Sequence, residues 1–133
     1  MQNKVYLALG SNTGDINLNL NKAVELISEK IGEVEKVSSF YITKPMYKLD
    51  QADFCNAVCI AYTSLDHFEL LDRIELIMSE MGRVREESNG PRIIDIDILF
   101  FNNLKIKTEK LEIPHPKIYE REFVTRPLIE ILL

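Results

Sequence analysis

An α+β fold built on an antiparallel sheet is predicted for this chain by three features of its sequence. Four segments alternate apolar and polar residues with period 2, as half-buried strands do. Two longer segments repeat apolar residues every three to four positions, as amphipathic helices do. The order is strand, helix, strand, strand, helix, strand, followed by one short hairpin partner. That order gives a ferredoxin-like βαββαβ core, an antiparallel sheet with the helices packed on one face. At 133 residues the chain suits one domain, 1–133, and is long enough to bury a core without staples.

Each element has a local reason. Val5, Leu7 and Leu9 alternate, so Lys4 to Leu9 is a strand, and the run Gly10-Ser11-Asn12-Thr13-Gly14-Asp15 is a turn. Leu20, Ala23, Val24, Ile27 and Ile31 recur at helical spacing, and Gly32 stops that helix as a C′ residue. Val34 to Tyr41 reads as the second strand. Thr43 to Asp53, about eleven residues, is long for a connection and is therefore a functional suspect. Phe54 to Tyr62 is the third strand. Ser64 or Asp66 caps the next helix, whose core stripe is Leu65, Phe68, Leu71, Ile74, Met78 and Met81, with Gly82 as the stop. Arg83 to Pro91 is a second long loop, polar and charged. The fourth strand ends at Phe100, and Asn102-Asn103 turns it back into Leu104 to Lys107, because Asn tolerates positive φ. Ile113-Pro114-His115-Pro116 is extended, since proline restricts the residue before it. Two short helical turns close the chain, with Pro127 starting the second.

Composition narrows the function. Hydrophobic residues make up 46% and charged residues 28%, the balance of an ordinary globule. The formal charge is −5 with no long basic run, which disfavours a nucleic-acid partner. The N-terminus runs straight into a strand pattern with no signal peptide, and no apolar stretch is long enough to span a membrane. The expectation is a cytoplasmic protein with no membrane partner. Cys55 and Cys59 fall on one face of the third strand, about 13 Å apart along it and too far for a disulfide. With Ala57 and Ala61 they form a small-residue face, and they read as reduced core residues.

The segment from Asn89 to Phe100 carries the chemistry. Ile94, Ile96, Ile98 and Phe100 alternate onto one face as an apolar wall. Asp95 and Asp97 share the other, roughly 6–7 Å apart at the usual strand rise. Two adjacent carboxylates repel each other and lose hydration unless something cationic sits between them. Arg92 enters the strand beside them, after a Gly-Pro turn. A hard divalent metal with arginine is what triphosphate chemistry needs. Arg83 and Arg85 add guanidinium forks suited to phosphate oxygens. Gly10-Ser11-Asn12 is neither a Walker loop nor a dinucleotide fingerprint, and by itself it is a structural turn. On the third strand Phe54 offers a stacking face and Asn56 an amide that both donates and accepts, a pairing suited to a flat heterocycle. A core Phe and a strand-end Asn explain the same residues without a ligand.

Taken together, these blocks resemble a known family. Gly-Ser-Asn after the first strand, Ser38-Ser39-Phe40-Tyr41-x-Thr43, Asp53-Phe54-Cys55-Asn56-Ala57 and Gly82-Arg83-x-Arg85 come in order. Gly90-Pro91-Arg92-x-x-Asp95-x-Asp97, Pro114-His115-Pro116 and Arg121-x-Phe123-Val124 follow. Nearly the whole chain resembles the 6-hydroxymethyl-7,8-dihydropterin pyrophosphokinases of folate biosynthesis. The resemblance implies transfer of the β,γ-diphosphate of ATP, the co-substrate, to the hydroxymethyl oxygen of the pterin, leaving AMP. It implies that Asp95 and Asp97 hold two Mg²⁺ ions, and that Arg85 and Arg92 lie closest to the chemistry with them. Arg83, Arg85 and Arg92 would steady the phosphates, and His115 and Arg121 would face the nucleotide. Thr43, Pro45, Met46, Phe54, Asn56, Asp95 and Phe123 would bind the pterin, with Phe54 and Phe123 sandwiching its ring. The expected working form is a monomer.

Two positions depart from the family pattern. Met78 stands where relatives usually place a Glu, and Asn89 where they commonly place an aromatic residue. Two other readings remain at this stage. One keeps metal and nucleotide but phosphorylates or nucleotidylates another small alcohol. The other is a non-catalytic binding module, which leaves the paired aspartates and Arg92 without a purpose.

Overall fold

The computed structural model describes residues 2–43, 53–83 and 92–133. Pro45, Met46, Arg85 and Asn89 lie outside the described residues. The elements are β1 (Asn3–Ser11), α1 (Ile16–Lys30), β2 (Glu33–Val37), β3 (Tyr41–Thr43), β4 (Phe54–Thr63), α2 (His67–Glu80), β5 (Asp95–Phe101), β6 (Ile106–Lys107), β7 (Glu112–Ile113) and α3 (Glu122–Leu132). A 3₁₀ turn, Ile118–Glu120, precedes α3. The main sheet runs β2-β4-β1-β5, and β3 extends the same edge of β4 as β2. All neighbours are antiparallel. This is the ferredoxin-like arrangement: each of α1 and α2 carries the chain past one intervening strand.

Caps fix the helix ends. Asp15 Oδ1 accepts from the Leu18 N–H at the start of α1. Asp66, rather than Ser64, caps α2 and forms a reciprocal capping box with Glu69. Gly82 ends α2 at φ +90°, with its N–H donating to the Ser79 carbonyl and the Arg83 N–H to the Met78 carbonyl. This is a Schellman pattern, and only glycine takes its φ without strain. Gly32 also follows a helix, but for a different reason. A Cβ there would sit 1.9 Å from the Tyr62 carbonyl oxygen, so the close approach of α1's end to β4 excludes any side chain.

The sheet has a covered face on each side. Val5, Leu7 and Leu9 of β1, Cys55, Ala57, Cys59 and Ala61 of β4, and Ile94, Ile96 and Ile98 around β5 pack under α1 and α2. Ala8, Val58, Ile60 and Leu99 pack under α3 on the other side. Helices on one face alone are therefore corrected: α3 covers part of the second face through Val124, Leu128 and Ile131. The period-2 pattern of β4 hid this, because both of its faces are apolar. Both cysteines are free and buried, and burial pushes the Cys59 thiol up to about 12.

Other details differ from the sequence reading. The stretch read as one strand over Val34 to Tyr41 is broken between β2 and β3. There the Ser38 hydroxyl accepts from the Val58 N–H and donates to the Ser39 carbonyl, a side chain standing in for ladder bonds. The α2 stripe is rotated: Leu70, Ile74 and Ile77 are buried, while Phe68 is exposed. A bulge shifts the β1–β5 register, with Tyr6 opposite Phe100 but Leu7 opposite Ile98. Phe100 consequently leaves the apolar wall for the α3 side, and Phe101 takes the core position. Asn102 makes the expected positive-φ turn, at φ 50°. The chain beyond it does not return along β5, because β6 pairs with β7 instead. Pro127 lies inside α3 rather than at its start, as one of its buried residues. Among the described residues, no helix is long and apolar enough to cross a membrane.

Candidate active site

Strand register brings the predicted site residues onto one end of the α3 side of the sheet. Gly10 pairs with Asn56 on β4 and with Asp95 on β5. One residue pair further in, Ala8 lies between Val58 and Asp97. Val58 and Ala8 are covered by α3. The outer row, Asn56-Gly10-Asp95, lies beyond that cluster. Two strand spacings separate Asn56 from Asp95, about 10 Å. Gly10 leaves the ground between them bare: a Cβ there would lie 3.1 Å from Asn56 Oδ1 and 3.9 Å from Phe54 Cδ1. Gly10 and Asn56 are both buried, and the missing side chain leaves only backbone between amide and carboxylate. Sequence reasoning missed this role for Gly10, and the only signal was a glycine at the end of a strand.

The Gly-Ser-Asn turn does a second job. Asn12, 3% exposed, accepts from the Arg92 N–H through Oδ1 at 2.6 Å, and its own N–H donates to the Arg92 carbonyl at 2.9 Å. Asn19 of α1 donates to Ser11 Oγ and to the Thr13 carbonyl, which fixes the turn from behind. The entry to β5 is held by main-chain bonds, so the Arg92 guanidinium projects from an anchored backbone.

Charge is concentrated at this end. The Schellman turn delivers Arg83 to Asp95, with Nε and Nη2 at 2.9 and 2.8 Å from Oδ1. Arg92 Nε stands 3.4 Å from Oδ2. Asp95 therefore has a guanidinium on each oxygen. Asp97 is solvent-exposed yet crowded by protein. That crowding, and then the Asp95 charge, raise its pKa, while His115, Arg121 and Arg83 oppose the shift. The His115 pKa is lowered by burial, against the pull of Asp97. His115 Nδ1 accepts from the Lys117 N–H, which leaves Nε2 to carry the proton of the neutral ring. The Arg121 guanidinium lies 5.7 Å from the Phe123 ring centroid at the start of α3.

On β4, Asn56 Nδ2 donates to Thr43 Oγ1 at 3.1 Å, so Thr43 orients the amide. Phe54 is half-buried beside them. Phe123 packs against the Ala8 cluster, on the same face of the sheet as Phe54. Met78, at the place where a Glu was anticipated, packs partly buried against the main core. The described residues hold no group of three or more His, Cys, Asp or Glu able to cage a metal. Two same-face carboxylates suit a hard cation that also takes oxygens from its substrate, as Mg²⁺ does. The donor set fits Mg²⁺ and not a closed, all-protein site.

Comparisons with known proteins place the whole chain in one family. The sequence profile of the family described as 7,8-dihydro-6-hydroxymethylpterin-pyrophosphokinase (HPPK) matches residues 6–133. The chain is 49% identical over 132 residues to a Bacillus subtilis 2-amino-4-hydroxy-6-hydroxymethyldihydropteridine pyrophosphokinase, covering 98% of this chain and 79% of that one. It is 43% identical over 127 residues to the Aquifex aeolicus protein of the same name, covering 96% and 79%. In fold it is similar to a crystal structure of Plasmodium falciparum HPPK-DHPS, with a TM-score of 0.81 and 19% identity, over 99% of this chain and 42% of that longer one. With the profile matching residues 6–133 and a relative near half identity over almost every residue, the chain belongs to the 7,8-dihydro-6-hydroxymethylpterin-pyrophosphokinase family.

Proposed function

We propose that the Asn56-Gly10-Asp95 end of the sheet is where this chain performs its family's reaction. That reaction is a pyrophosphoryl transfer from ATP to the hydroxymethyl group of 6-hydroxymethyl-7,8-dihydropterin, giving AMP and the pterin diphosphate in folate biosynthesis. The observation that carries the assignment is the single row Asn56-Gly10-Asp95, which joins a heterocycle-binding amide to a charge-handling carboxylate across a bare backbone.

The pterin binds over Gly10. Asn56, oriented by Thr43, reads its polar edge, and Phe54 and Phe123 take the two ring faces. Pro45 and Met46 complete this pocket, and Asp95 contacts the substrate at the side facing the phosphates. Asp95 and Asp97 would hold two Mg²⁺ ions, which would supply neutralisation of the triphosphate charge. Arg83 and Arg92 shift part of their pairing from Asp95 to phosphate oxygens when ATP arrives, and Arg85 joins them. The His115 Nε2–H and Arg121 face the nucleotide. Arg85 and Arg92 act closest to the chemistry, and the Arg92 backbone, three residues before Asp95, is pinned to Asn12.

The working form we propose is a monomer. The two apolar clusters share one sheet, which supports 1–133 as a single pyrophosphokinase domain. Two free, buried cysteines and the use of ATP support a cytoplasmic site of action.

Asn56→Ala is expected to weaken pterin binding by about 1–3 kcal/mol, the cost of leaving polar ring groups unpaired, with ATP affinity unchanged. Titration calorimetry with each ligand separately checks this. An equal loss for both ligands would show that the residue supports the fold instead of reading the pterin.

A further inference from the structure

The C-terminal helix grips the pterin half of the site from outside. Glu130, near the end of α3, accepts from the Ser39 N–H at 2.8 Å and the Ser39 hydroxyl at 3.1 Å, both through Oε2. Its Oε1 accepts from the Tyr41 hydroxyl. One helical turn earlier, the Arg126 guanidinium lies 5.8 Å from the Tyr41 ring centroid. Both carboxylate oxygens are thus engaged, Oε2 by the connector between β2 and β3 and Oε1 by the first residue of β3. These donors hold Glu130 in its charged form, below the usual carboxylate range.

What this contact holds in place matters for the ligand. On its other side the same connector is tied to β4, where Ser38 exchanges hydrogen bonds with Val58. Tyr41 lies across the ladder from Asn56. Thr43, two residues on, accepts the Asn56 amide proton. β3 is only three residues long, so it has little ladder of its own to fix its position. Meanwhile the first turn of α3 carries Phe123, the other wall of the pterin pocket, and the helix is seated on the sheet by Val124, Leu128 and Ile131. One rigid helix therefore carries a ring-stacking group at its start and a clamp on the opposite wall at its end.

We propose that Glu130 is a positioning residue for the pterin, acting through Ser39 and Tyr41 to set the distance between Thr43-Asn56 and Phe123. The inference rests on the assignment of Thr43, Asn56 and Phe123 to the pterin. Of the nucleotide half of the site, Arg83, Arg92, His115 and the β5 aspartates are attached to other elements; Arg121 shares α3 as its N-cap residue, at the end of the helix opposite to Glu130.

Steady-state kinetics on the full chain with ATP, Mg²⁺ and the pterin alcohol test this. Glu130→Ala is expected to raise KM for the pterin about five- to tenfold, the loss of charge-assisted bonds at an exposed position, with KM for ATP changed less than about twofold. Glu130→Gln, which keeps an acceptor, should recover part of the loss. Tyr41→Phe removes one hydroxyl, cannot unseat α3, and should give a smaller rise in the same parameter. It decides the matter if Glu130→Ala does not fold. Equal rises in both KM values, or no rise in either Tyr41→Phe or Glu130→Ala, would overturn the proposal. Wild-type protein inactive on the pterin would instead overturn the functional assignment, and the clamp's purpose with it.

Discussion

Asp97→Ala is expected to reduce pyrophosphoryl transfer by at least about 10³-fold while leaving the fold unchanged. The side chain is solvent-exposed and points away from the main core, so its removal opens no cavity among Ile94, Ile96 and Ile98. Its charge is already disfavoured by crowding and by Asp95. Losing it relieves repulsion, and thermal stability should hold or rise slightly. The large kinetic loss arises because one carboxylate cannot hold and space two Mg²⁺ ions on the triphosphate. AMP release at saturating Mg²⁺, measured beside a melting curve, checks both halves. Near wild-type turnover in the variant would remove the metal site from β5.

Arg92→Ala should lower kcat by roughly 10²–10³-fold, with a smaller effect on ATP affinity, because a fixed cation beside developing charge acts mainly in the transition state. The variant is a clean probe. The bonds that anchor this residue run through its main-chain N–H and carbonyl to Asn12, and both survive truncation of the side chain. Arg83 keeps its pair with Asp95, so the carboxylate is not stranded. A kcat equal to wild type with a raised KM for ATP would show that the guanidinium only assists binding.

The sequence marked Asp95 and Asp97 with their arginines because two acids share one face of a strand whose entry is Arg92. A surface strand with two solvated acids explained the bare pair as well, and it was the surrounding motifs that turned the reading toward a cation site. The βαββαβ order was legible because Val5, Leu7 and Leu9, and the stripes of α1 and α2, follow their periods closely. Other features were hidden because they depend on contacts distant in sequence. The bulge that moves Phe100 off the core wall is a property of the β1–β5 pairing, not of either strand. The roles of Gly10 and Asn12 appear only when β4 and Arg92 are brought beside them. The cover supplied by α3 was missed because β4 is apolar on both faces, so Val58 and Ile60 carry no polar alternation to mark a second interface. β6 and β7 were misassigned because two-residue strands have no period to read.

Nucleotide product analysis tests the central claim most directly. The wild-type chain is incubated with ATP, Mg²⁺ and 6-hydroxymethyl-7,8-dihydropterin, and the nucleotide and pterin products are resolved. AMP and a pterin carrying two phosphates, in equal amounts and dependent on the divalent ion, are the predicted outcome. ADP with a singly phosphorylated pterin, or formation of AMP undiminished in excess chelator, would contradict it.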